Sequence, residues 1–175
     1  LGGAVPDRLV HSASRTAEVA TASRAEADPH HHPGLLAIAL DADTLAPTHL
    51  DLRHHHGLVV GPPRSGVSTA LTTISRAHPG ARLLGRADAG HVVDACAEVI
   101  RRAATGRPSL LVLDHADELL DSADGDEVAA ALAEVVRSGR DHPARVVLGG
   151  EVDAMSRCYH DVVAAVRRGR TGLLL

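Results

Sequence analysis

A chain of 175 residues suits one domain with a buried core, and with no Phe or Trp and a single Tyr that core must be aliphatic. A formal net charge of −4 and a pI near 6.3 argue against a domain that grips duplex nucleic acid by neutralising phosphates. No apolar run reaches a membrane span, no signal peptide is visible, and Cys96 and Cys158 stand far apart within apolar helical patterns, which reads as reduced core thiols in the cytoplasm.

All 18 basic residues are Arg, a bias of coding composition rather than a structural demand. The chain starts without Met and stops inside the apolar run Leu173 to Leu175, so a piece of a longer protein is expected. Residues 1–34 are rich in Ala, Ser, Arg and Glu with weak periodicity and read as a linker or adaptor, leaving 35–175 as the domain. Leu35 to Leu40 can form a strand, and Asp41 to Asp51 reads as a turn through Asp43 and Pro47. Two histidine triplets, His30 to His32 and His54 to His56, raise the question of a metal. Adjacent histidines on extended backbone face opposite ways, and no Cys or carboxylate sits at ligand spacing, so both read as exposed loop histidines.

The run Gly57 to Thr73, GLVVGPPRSGVSTALTT, carries the strongest signal. Four residues separate Gly61 from Gly66 and Ser68 follows two later, the spacing of the phosphate-binding loop GxxxxGK[ST], with Val67 in the lysine position. Glycines let the backbone wrap a phosphate with its N–H groups inward, and a helix starting near Val67 offers the anion its positive end. Ser68 is placed to hold Mg²⁺. The missing ammonium is a unit charge worth up to roughly 4 kcal/mol at about 4 Å in an effective dielectric near 20. The bland alternative is a tight strand-to-helix turn that happens to use glycine.

Context favours phosphate. The loop follows Leu58, Val59 and Val60 and precedes a helical pattern at Leu71, Ile74 and Ala77. Pro79 and Gly80 stop that helix before a short strand, Ala81 to Leu84, and Val92 to Ala103 then repeat at helical spacing. Leu110 to Leu113 form a buried strand ending in Asp114, a carboxylate placed to hold the water of a nucleotide-bound Mg²⁺. A helix over Val128 to Val136 with Asp124 or Asp126 as cap, a strand over Arg145 to Leu148, a helix from Tyr159 to Val166 and a strand over Gly172 to Leu175 complete the pattern. Such alternation predicts an α/β fold, a mainly parallel sheet with helices on both faces.

The segments LDADTLAPTHLDL into HHHGLVVGPPRSGVSTAL, then LLVLDHADELLD, then GGEVDAMSRCYHDVVAAVRRGRTGLLL resemble the FtsK/SpoIIIE family of motor ATPases. They are most similar to the later, divergent ATPase domains of its multi-domain members, including the EccC-type ATPases of type VII secretion. The resemblance covers roughly residues 35–175. It implies a RecA-like P-loop NTPase core, ATP and Mg²⁺ as cofactors, and neighbouring ATPase domains of the same protein in a ring or hexamer. DNA or exported protein is the implied cargo, at the inner face of a membrane contacted only through other parts of the parent. Carried onto this sequence, the nucleotide contacts fall on Gly61, Arg64, Ser65, Gly66, Val67, Ser68 and Thr69, and the Mg²⁺ contacts on Ser68 and Asp114.

Two departures fall on catalytic positions. Val67 replaces the loop lysine, and His115 stands where active members carry a second acid beside the strand carboxylate, leaving Asp114 and His115 as the candidates for chemistry. Asp117 and Glu118 read as caps or solvated groups of the next helix, and the strand tip, where the resemblance implies a polar sensor, reads Gly149, Gly150, Glu151. Arg167, Arg168 and Arg170 read as a solvated helix end before they read as an arginine finger. A nucleotide-binding but quiet domain is therefore expected, with an active ATP-driven DNA translocase and a nucleotide-free peptide-docking module as the alternatives.

Overall fold

The computed structural model describes residues 34–40 and 47–175. Apart from Gly34, the linker expected over 1–34, with His30, His31 and His32, lies outside the described residues, as does the turn at Asp43.

Strands β1 (Leu35–Leu40) and β2 (Pro47–Asp51) form an antiparallel hairpin with Leu36 opposite Leu50. The segment expected to turn as far as Asp51 is thus a strand from Pro47 onward. Its physical reason is a short alternation in which Leu50 and Leu52 are buried while His49 is exposed, and Pro47 is tolerated as the first residue of the strand.

The remaining strands are β3 (Gly57–Gly61), β4 (Ala81–Leu84), β5 (Ser109–Leu113), β6 (Ala144–Glu151) and β7 (Gly172–Leu174). They make one sheet in the order β4-β5-β6-β3-β7, and every neighbouring pair is parallel. The helices are α1 (Val67–Ala77), α2 (Ala89–Ala104), α3 (Ala116–Leu120), α4 (Gly125–Ser138), α5 (Val152–Arg157) and α6 (Asp161–Arg168).

Alternation along the strands sorts the core into two layers. Val59, Leu110, Val112 and Val147 face a cluster with Leu71 and Ile74 of α1 and Leu36, Ile38, Leu50 and Leu52 of the hairpin segment. Leu111, Leu113, Val146 and Leu148 face the other way, onto α2, α4 and α6. All five residues of β5 are buried, as a central parallel strand requires. Helices cover both faces, as expected, and the hairpin fills the area that α1 alone leaves open.

Several local expectations are corrected. Helix α6 begins at Asp161, so Tyr159 precedes it and stands 92% exposed. Cys158 sits half-buried between α5 and α6, whereas Cys96 is buried in α2, where desolvation pushes its thiol up to about 12. Asp124 precedes α4 without a side-chain capping bond. His54 and His55 are exposed, but His56 turns inward, where its Nδ1 accepts the Val146 N–H at 3.2 Å. Burial first, and the Arg145 charge second, hold His56 down to about 4.

Candidate nucleotide-phosphate site

Strands β3 and β6 are adjacent, yet the chain leaves them on opposite faces: α1 packs on one layer of the core and α6 on the other. The crevice at the carboxyl ends of such strands is where open parallel sheets receive ligands. The loop Pro62 to Gly66 lies there. Ser65 N–H bonds the Pro62 carbonyl at 3.1 Å, closing the first turn. Arg64 (φ 67°) and Gly66 (φ 101°) take left-handed conformations, and no atom lies within 4 Å of where a Cβ on Gly66 would be. That combination aims successive N–H groups into one concavity.

Helix α1 then begins at Val67 with no side-chain cap and no acidic residue in its first turn. Its first N–H groups and the positive end of its dipole are therefore left for an anion. Val67 is half-buried and packs against the hairpin-side core, while Ser68 and Thr69 are exposed at the mouth.

The opposing wall comes from β5 and α3. The Asp114 N–H bonds Leu84 of the neighbouring strand at 2.9 Å, and its carboxylate, 12% exposed, accepts the His115 N–H at 2.9 Å. His115 is left-handed (φ 56°) and turns the chain sharply into α3. Its Nδ1 lies 3.2 Å from Glu118 Oε1 and its Nε2 3.9 Å from Asp114 Oδ2, while Glu118 also accepts Arg86 at 3.0 Å. The ring is thus partnered by Glu118 rather than free, and it is only partly exposed.

Together the loop from Gly61 to Thr69, Asp114, His115, Asp117, Glu118, Gly150 and Glu151 line one cavity of about 470 Å³. All the residues singled out for nucleotide and Mg²⁺ from the sequence fall on this wall. Asp117, Glu118, Gly150 and Glu151 join them, and their roles in the sequence reading were different. Asp117 Oδ2 accepts the Glu151 N–H at 3.1 Å, tying α3 to the tip of β6. The arginines at the end of α6 stand elsewhere. Arg167 donates to the Met155 carbonyl, and Arg168 lies beside His54, His56 and Arg145, near the starts of β3 and β6 at the far end of the sheet.

The donor set suits a polyphosphate with Mg²⁺. The helix end and loop amides take anionic oxygen, and Ser68 with Asp114 supplies two hard oxygens of the kind Mg²⁺ uses alongside phosphate. Two of the described buried polar atoms without a partner, Ser65 Oγ and Asp117 Oδ1, belong to residues lining this cavity. No three His, Cys, Asp or Glu side chains among the described residues gather as a metal-holding group by themselves.

A parallel sheet with this loop at its switch point is the fold of P-loop ATPase domains. Within that class the chain is similar to the cytoplasmic domain of the Thermomonospora curvata type VII secretion ATPase EccC, with TM-score 0.62 and 17% identity over 87% of this chain and 23% of that one. It is similar also to ATPases 2 and 3 of Geobacillus thermodenitrificans EssC, with TM-score 0.62 and 17% identity over 97% of this chain and 37% of that one. ATPases 2 and 3 of T. curvata EccC in complex with a signal sequence peptide give TM-score 0.61 and 17% identity over 100% and 37%. This chain therefore spans well under half the length of these relatives, and at such identity the likeness is one of fold. No protein-family model and no curated protein matches the sequence.

Proposed function

We propose that this chain is a nucleotide-binding domain of a multi-domain protein translocase of the type VII secretion kind, and that it binds ATP·Mg²⁺ while hydrolysing it weakly or not at all. The observation that carries this is a complete phosphate-loop geometry in which Val67, an apolar side chain packed on the core, occupies the cationic position. Loop amides and the α1 end bind and orient the phosphates, and Ser68 and Asp114 hold the metal. Bound Mg²⁺ supplies Lewis-acid neutralisation of phosphate charge. What the chain lacks is charge matched to the transition state on the γ-phosphoryl group, and a free base beside Asp114, since His115 is engaged with Glu118.

Exported protein is the cargo this reading favours over DNA. A net charge of −4 opposes a phosphate backbone, and one fold relative was solved with a signal sequence peptide. Neighbouring ATPase domains of the same protein, assembled as a ring or hexamer, are the expected partners, with the site in the cytoplasm and any membrane anchor in other parts of the parent. Among the described residues no helix is long and apolar enough to cross a membrane.

Calorimetric titration with ATP·Mg²⁺ tests the proposal. Losing one charge-assisted contact of roughly 1.5 to 3 kcal/mol weakens binding about ten- to a hundredfold without abolishing it. Saturable binding that Ser68→Ala or Asp114→Ala weakens supports the reading. No binding at all would favour the nucleotide-free docking module, the reading that Val67 otherwise invites.

A further inference from the structure

Asp117 does more in the structure than begin a helix. One carboxylate oxygen, Oδ2, accepts the Glu151 N–H at 3.1 Å, and the other, Oδ1, is buried without any partner. Glu151 is in register with Gly61, so this bond holds the tip of β6 beside the first glycine of the phosphate loop. Oδ1 packs close against Gly150, where a Cβ would come within 2.6 Å of it, so only glycine there lets the carboxylate sit as it does. A buried carboxylate oxygen without a donor is costly, and such a group calls for a ligand or water to complete it.

The neighbouring acids are otherwise engaged or differently placed. Glu118 is shared between His115 and Arg86 and is 54% exposed. His115 occupies the position next to Asp114, but its left-handed backbone carries the chain round so that the next available carboxylate in the cavity wall is that of Asp117.

We propose that Asp117 is the positioning carboxylate of the nucleotide site: Oδ2 fixes the tip of β6, and Oδ1 accepts a hydrogen bond from water in the shell of nucleotide-bound Mg²⁺. This rests on the nucleotide-binding reading above. The second acid missing beside Asp114 is thus supplied three residues later, from the first turn of α3. It acts through water, and the Glu151 amide reports its second bond.

Asp117→Asn separates the two roles, because the amide oxygen can still accept the Glu151 N–H while an NH₂ replaces Oδ1. With the whole chain, ATP affinity is measured by calorimetry in Mg²⁺ and in EDTA, and the ratio gives the enhancement due to Mg²⁺. For Asp117→Asn that enhancement falls roughly tenfold, as for a lost charge-assisted hydrogen bond, while affinity in EDTA and hydrogen-exchange protection of the Glu151 amide are kept. Asp117→Ala loses the protection as well. Gly150→Ala, which crowds Oδ1 without removing the carboxylate, lowers the enhancement in the same direction. An unchanged enhancement in both Asp117→Asn and Gly150→Ala overturns the positioning role and leaves the nucleotide reading standing. Absence of ATP binding in the unaltered chain overturns both.

Discussion

Val67→Lys restores the missing cation, and its effects on stability and on binding have opposite signs. Val67 is the first residue of α1, half-buried against the core layer that contains Leu71 and Ile74. Replacing it gives up about 1 kcal/mol of apolar burial, only partly recovered by the lysine stem. A cation at the positive end of a helix costs a further 0.3 to 1 kcal/mol, roughly. The unliganded variant is therefore expected to be about 1 to 2 kcal/mol less stable, with Asp114 and the other acids of the opposing wall reducing that figure. With ATP·Mg²⁺ the new ammonium meets phosphate in a partly desolvated cleft, and roughly 1.5 to 3 kcal/mol of added affinity is expected, ten- to a hundredfold in Kd. Urea denaturation without nucleotide and calorimetry with ATP·Mg²⁺ read the two effects separately. At saturating nucleotide the stability order should invert, because the tighter binder gains more from mass action. A folded variant whose ATP affinity is unchanged or weaker would refute the reasoning, since the loop would then not be holding phosphate next to position 67.

Acid should unfold the domain in a window set by two histidines. His56 and His78 are both held down to about 4, in each case chiefly by burial, while an unfolded histidine takes its proton near 6.5. The unfolded state therefore binds more protons as pH falls, so their contribution is complete above about 6.5 and is lost progressively toward about 4 at up to roughly 1.4 kcal/mol per pH unit for each. Urea midpoints between pH 7 and pH 4.5 should show the slope, and His78→Gln should remove about half of it; an unaltered slope in that variant would count against the assignment. A third expectation concerns the packing of α1 on the sheet. A methyl at Gly149 would lie 2.3 Å from Leu71 Cδ1, so Gly149→Ala should cost about 1 to 3 kcal/mol by overpacking, and trimming Leu71 in the same chain should relieve part of it. A denaturation midpoint unmoved by Gly149→Ala would show that β6 and α1 are not in contact there.

What was legible in the sequence follows from how many residues carry each signal. The five parallel strands announce themselves through apolar runs such as Leu110 to Leu113, and α2 through six buried positions at helical spacing. The loop from Gly61 to Gly66 is legible because its backbone demands glycine at both ends. Strand β2 was not, since it offers a single buried side chain among its described residues, followed by Leu52, and opens with a proline. Helices α3 and α5 span five and six residues, too short for any periodicity to emerge. Asp117 looked like an ordinary first-turn carboxylate. Its bond to the Glu151 amide depends on the left-handed turn at His115 and on a strand tip 34 residues away, neither of which local spacing encodes. His56 was hidden for a similar reason: its partner is the backbone of β6, reached only when the sheet is assembled. His115 also constrains any attempt to rebuild an active site, because a left-handed position accepts Asp or Asn more readily than Glu.

Binding without turnover is tested most directly by a single-turnover measurement. The unaltered chain is held in excess over labelled ATP·Mg²⁺, and the protein-bound nucleotide is recovered over time and separated. The expected result is nucleotide that stays bound and remains ATP over hours. Conversion to ADP at an ordinary ATPase rate, abolished by Asp114→Ala, would contradict the quiet-domain reading and make this chain a motor in its own right.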